Sequence, residues 1–140
     1  MNEKEFEGFF RSSLGLEFPG RHRIRKHHAD EYSGAGHPDF YGHICGLGVE
    51  FELKVRPNRP TEVQVTQLIE TVRTGGNAFV AILDGDKVLL IHGAILLAGF
   101  SYRKQDGWLA LPIVEYPTQK GHGRRIDFTM LRAVLGLSNK

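Results

Sequence analysis

The chain has 140 residues, 41% of them hydrophobic, which supplies a core for a single domain over 1–140 and excludes a disordered tail. One cysteine excludes an internal disulfide framework and a cysteine-rich zinc cluster, and no apolar run approaches the ~18 residues of a membrane span. The net charge of +2 makes any attraction to polyanions depend on where charge sits, and the acidic start MNEKEFEGFF lacks a signal-peptide pattern, so a soluble cytoplasmic protein with no membrane partner is expected.

Residues 2–13 carry Phe6, Phe9 and Phe10, followed by Leu14, at helical spacing, and predict a helix ended by Gly15. A turn with Pro19 follows over 17–20. Residues 21–28, RHRIRKHH, contain no acid. As a strand they put Arg21, Arg23 and Arg25 on one face, a spacing suited to following phosphates, with Lys26 beside them. Residues 29–37 read as a small-residue loop that suits a substrate-responsive segment, and 39–55 as a hairpin. Arg56 to Pro60 is a stiff connector with two prolines, placing Arg56 and Arg59 at the hairpin's end.

Thr61 to Thr74 is the best-marked helix: Val65, Leu68, Ile69 and Val72 form its stripe, Thr61 with Gln64 matches a capping box, and Gly75-Gly76 stops it. Residues 77–83 form a buried apolar strand, which turns at 84–86 into a partner over 87–91. Residues 93–99 suit either a short helix or a buried connector. A strand over 108–114 is expected at an edge because of Pro112. Lys120 to Arg125, loosened by glycines, reads as a mobile basic loop carrying Arg124 and Arg125. Asp127 then caps a last helix with Phe128, Leu131 and Leu135 inward.

The hairpin carries the chemistry. Val49, Phe51, Leu53 and Val55 share one parity, while Glu50, Glu52 and Lys54 share the other, so Glu52 and Lys54 lie on one strand face. If Cys45-Gly46 is a two-residue loop, Ile44 pairs with Leu47, and the same register sets Asp39 opposite Glu52. Opposed residues have Cβ atoms roughly 4.5–5.5 Å apart, close enough for two carboxylates to share a cation. A bulge at Gly46 or Gly48 would shift this register. Taken singly, Glu-x-Lys is usually a solvated face and Pro-Asp usually a turn. Together they bring two anions and an ammonium to one patch, as metal-assisted phosphodiester cleavage requires. The seven histidines include no His-x-x-x-His pair, so a structural zinc site is not expected. For Tyr32, His37 and Tyr41, ordinary loop or core roles compete with substrate contact.

The ordered set HPDFYGHICGLGVEFELK, then Pro60-Thr61 opening a helix with Gln64, resembles the PD-(D/E)xK nuclease superfamily. Its nearest likeness is to virus-type replication-repair (VRR-Nuc) modules and archaeal-type Holliday junction resolvases, over roughly residues 3–83. That resemblance implies an α/β, restriction-endonuclease-like fold: a mixed central sheet flanked by helices. It implies Mg²⁺, with Mn²⁺ as a substitute, held by Asp39, Glu52 and the Leu53 carbonyl. Lys54 would orient water or stabilise the pentacovalent state, and Gln64 would lie beside it. A first-helix glutamate would approach the metal, with Glu3 nearest the inward stripe and Glu7 next.

The expected activity is a structure-selective DNA endonuclease, resolvase-like, acting on branched DNA through backbone geometry because so small a chain has little surface for base readout. Paired cuts in a two-fold junction imply a homodimer, with Ile91–Phe100 and the last helix as candidate interfaces. The alternatives are a nuclease for flap, single-stranded or linear DNA, and an inactive nucleic-acid-binding module.

Overall fold

A computed structural model describes residues 1–26, 39–97 and 108–137. The expected loop over 29–37, with Tyr32 and His37, the histidines at 27 and 28, and residues 98–100 of the candidate interface lie outside the described residues.

Helix α1 (Glu3–Glu17) opens on a reciprocal cap: the Asn2 side chain accepts from the Glu5 N–H at 2.8 Å, and the Glu5 carboxylate accepts from the Asn2 N–H at 2.9 Å. The helix runs through Gly15, where the sequence suggested a stop. Buried Leu14 and Phe18 anchor the last turn, and the Phe18 N–H closes on the Leu14 carbonyl. Their burial outweighs the roughly 1 kcal/mol that an interior glycine costs.

Seven strands follow in one sheet, in the order β1 (His22–Lys26), β2 (Phe40–Ile44), β3 (Leu47–Val55), β4 (Asn77–Asp84), β5 (Lys87–His92), β6 (Leu109–Thr118), β7 (Gly121–Ile126). Only β3 and β4 pair in parallel, joined by α2 (Glu62–Arg73); the other neighbours are antiparallel. Short α3 (Gly93–Leu97) follows β5, and α4 (Thr129–Val134) ends the described chain. This is the expected α/β architecture, a mixed sheet flanked by helices.

Alternation sorts the side chains of β3 and β4 onto two cores. Phe51, Leu53, Phe79 and Ala81 join Phe6, Phe10 and Leu14 of α1 and Phe128 and Leu131 at the C-terminus. Ala78, Val80 and Ile82 pack with Leu68, Val65 and Val72 of α2 on the opposite side. β4 is therefore buried on both faces, which explains its unbroken apolar run. Phe10 is the hub of the larger core, with edge-on contacts to Phe51 at 5.0 Å, Phe128 at 5.3 Å and Phe6 at 6.0 Å.

One expectation for the C-terminal third is refined and one corrected. β6 lies between β5 and β7 in the strand order, but each half is laddered on one side: Leu109 to Pro112 pair with β5, and Ile113 to Thr118 pair with β7. Pro112 marks the handover, where its carbonyl accepts from Asp127 and its missing N–H is least costly. Lys120 to Arg125 is not a free loop but the turn and strand of β7. Gly123 serves packing there, because a Cβ at that position would come within 2.9 Å of the Tyr116 ring across the pair. Glu17 secures this end by pairing with Arg125 at 2.8 Å and with Arg132 of α4.

Candidate active site

Cys45 and Gly46 both have positive φ, 50° and 82°, the signature of a two-residue hairpin turn that matches the twist of its strands. Ile44 therefore pairs with Leu47 and Phe40 with Phe51, with no bulge. Carried one residue beyond β2, this register sets Asp39 beside Glu52. The Leu53 N–H donates to Asp39 Oδ2 at 2.8 Å, which pins the carboxylate to β3.

Glu52 is only 1% exposed, and it is the one buried carboxylate among the described residues. Its Oε2 accepts from Gln64 Nε2 at 2.9 Å and lies 3.3 Å from Lys54 Nζ. Gln64 is itself fixed, because its Oε1 accepts from the Thr61 N–H at 2.8 Å as half of the α2 capping box. One residue thus starts the helix and clasps the glutamate. Glu52 Oε1 is buried with no hydrogen-bond partner.

Burial first, and then the neighbouring Asp39 charge, push the Glu52 carboxyl up to about 8, while Lys54 opposes the rise. Burial also raises Asp39, against the lowering effects of the Leu53 N–H and Lys54. A third acid contributes: the charge of Glu7 on α1 raises Asp39 as well. Glu3, the sequence's first choice on that helix, instead takes the Asn58 side-chain amide at 3.1 Å.

A buried carboxyl with an unsatisfied oxygen, beside a second carboxyl, is a donor set that suits a hard divalent cation, whose charge would displace the proton that burial favours. Among the described residues no group of three or more His, Cys, Asp and Glu could hold a metal. A cation here would take two carboxylates and complete its shell from the Leu53 carbonyl, water and substrate oxygens, as Mg²⁺ commonly does.

The basic residues divide. Arg25 is opposite Tyr41, which is opposite Glu50, so Arg23 and Arg25 share the sheet face of Glu50, Glu52 and Lys54, and both are exposed. Lys26 has the other parity and pairs with Glu7 at 2.7 Å. Arg21 lies just before β1 and is exposed. Arg56, past the end of β3, pairs with Asp84 at 3.3 Å, and Arg59 is exposed nearby. Arg124 and Arg125 sit on β7, four strands from β3, and Arg125 is engaged by Glu17. Of the candidate interfaces, Ile91 is fully buried in its own core, while α4 leaves Met130 and Val134 exposed.

No protein-family model matches the chain, and no curated protein matches it by sequence. One similar solved structure is the 1.6 Å resolution structure of Hjc, a Holliday junction resolvase from the archaeal hyperthermophile Archaeoglobus fulgidus. The two share 16% identity with a TM-score of 0.48, over 76% of this chain and 87% of that one. At that distance any assignment of chemistry rests on the side chains themselves. Among the described residues no helix is long and apolar enough to cross a membrane.

The sequence missed one feature of the region. Glu50, read only as a member of the strand's polar face, accepts from the Thr71 hydroxyl and borders a cavity with Tyr41 and Asn77. The pairing of Glu50 with a residue 21 positions away is set by the α2 crossover and has no local signal.

Proposed function

We propose that the protein is a metal-dependent DNA endonuclease that hydrolyses phosphodiester bonds in branched DNA, in the manner of a Holliday junction resolvase. The observation that carries this reading is the buried Glu52 carboxylate, gripped by Gln64 and Lys54 beside Asp39, with one oxygen left unsatisfied. A purely structural glutamate at 1% exposure would be expected to have both oxygens paired.

Asp39 and Glu52, with the Leu53 carbonyl, would hold Mg²⁺ or Mn²⁺, which when bound supplies charge neutralisation at the phosphate and a more acidic water. Gln64 keeps the Glu52 carboxylate in one orientation. The Leu53 N–H does the same for Asp39. Lys54 Nζ, half-buried on the same face, donates to the attacking water or to a phosphoryl oxygen as negative charge grows there. Arg23 and Arg25 lie on the exposed part of that face and attract the flanking phosphates. A two-fold junction and one such site per chain suit a homodimer.

The test compares wild type with Asp39→Ala and Lys54→Ala on four-way, flap, linear and single-stranded DNA, with Mg²⁺ or chelator. Wild type is expected to cut branched DNA only with the cation. Both variants should still bind the junction and cut at least a hundredfold more slowly, the scale of losing one electrostatic contributor. Undiminished cutting by either variant would refute the site. Titration with Mn²⁺ separates an inactive binding module, which should show no heat that depends on Asp39 and Glu52.

A further inference from the structure

On the same sheet face as Glu52, and reached through Glu50 two residues before it, lies a cavity of about 390 Å³, at the C-terminal end of α2, between the β2–β3 hairpin and the start of β4. Its wall includes Tyr41, Glu50, Thr71 and Asn77, and Gly48 forms part of its floor. We propose that this cavity receives one unstacked nucleobase of the substrate strand, adjacent to the phosphate held at Asp39 and Glu52. The proposal rests on the nuclease reading and narrows its substrate to DNA with an unpaired nucleotide beside the cut: a branch point, a flap or a single strand.

Position comes first. Glu50 and Glu52 share a face and are two residues apart on β3, so about 6.6 Å of strand separates cavity from catalytic patch, within reach of one nucleotide. Charge comes second. The Glu50 carboxylate, held by the Thr71 hydroxyl, repels a phosphate but accepts from the N–H edge of a base. The phosphates find Arg23 and Arg25 instead, which stand opposite His43 and Tyr41 on the neighbouring strand. Shape comes third. The lining is mostly apolar with an aromatic wall, as a flat heterocycle needs. Asn77 is held in place at the cavity's end, donating to the Gly48 carbonyl at 3.3 Å and facing His92 Nε2 at 3.2 Å.

Gly48 offers a clean perturbation. A Cβ built there meets nothing within 4 Å, its φ is not positive, and its parity is that of Glu50. Valine at 48 suits a strand and projects into the space a base would occupy.

The first readout needs no catalysis. Amide NMR signals of wild-type protein in chelator are followed while deoxyadenosine monophosphate, or deoxyribose 5-phosphate as the base-free control, is added. The nucleotide is expected to shift the Glu50 and Asn77 signals, the control to leave them unmoved, and Gly48→Val to abolish the shifts. Equal shifts from the base-free control, or nucleotide shifts that survive in Gly48→Val, would overturn the proposal. The second readout is cutting of single strands with one abasic position beside the cut bond. Wild type should cut these about tenfold more slowly than intact strands, the scale of one lost base contact, and Gly48→Val should cut both at the same reduced rate. Base-dependent shifts with no cutting of any DNA would sink the nuclease reading alone. Cutting without discrimination would sink the cavity alone.

Discussion

Replacing Glu52 by glutamine keeps the shape of the side chain and removes the carboxyl that the fold makes costly to ionise. An amide oxygen can still accept from Gln64 and Lys54, and Lys54 keeps Asp39 as a counter-charge. In the wild type without metal, the folded-state pKa near 8 lies above the ordinary 4.5, so the folded protein binds a proton that the unfolded chain has released. The shift therefore works against stability as pH rises: nothing is lost below 4.5, and the loss grows through the window up to 8. At about 1.4 kcal/mol per pH unit, the loss between 4.5 and pH 7 reaches an upper limit of about 3 kcal/mol. Glu52→Gln escapes this penalty. Urea unfolding in chelator should show the variant level with wild type near pH 5 and more stable by about 1–3 kcal/mol at pH 7 to 8. Added Mg²⁺ should raise wild-type stability at pH 8 and leave the variant unchanged, because only the carboxylate gains a ligand. A stability difference that is the same at pH 5 and pH 8, or a variant weaker than wild type at pH 8, would refute the reasoning.

Arg23→Ala and Arg25→Ala should each lower the salt dependence of DNA binding by about one unit of slope, whereas Arg125→Ala, already engaged by Glu17, should leave the slope alone; binding isotherms at several salt concentrations measure this. Glu7→Gln removes a charge that raises Asp39, so the Asp39 carboxyl should titrate lower and the acidic limb of the pH–rate profile should move to lower pH. Phe10→Ala, at the hub of the larger core, should cost about 3–5 kcal/mol in urea unfolding.

The hairpin was legible because everything that sets it is local. A period-two pattern fixes which residues share a face, and a two-residue turn fixes the register, so Asp39, Glu52 and Lys54 could be placed before any tertiary contact was known. Gln64 was legible for the same reason, since a capping box is read within four residues. The basic residues were not. Whether an arginine faces a substrate or a glutamate depends on partners far away in the chain, as with Arg125 and Glu17, 108 residues apart. β7 was hidden by its glycines, which read as looseness although Gly123 makes room for Tyr116.

That partition has a physical basis. The candidate site is assembled from residues 39–64, by a hairpin and the first turn of the crossover helix α2, placed beside β3. Burying Glu52 there is unfavourable, and two carboxylates side by side raise the cost further. The expense is borne elsewhere, by a core in which Phe6, Phe10, Phe51, Phe79 and Phe128 are fully buried. A strained carboxylate survives only because that distant aromatic packing is strong. Weakening the core should therefore make the protein more dependent on a bound cation for its folded state, and Phe10→Ala offers the check: Mg²⁺ at pH 8 should restore a larger share of its folded population than it adds to wild type.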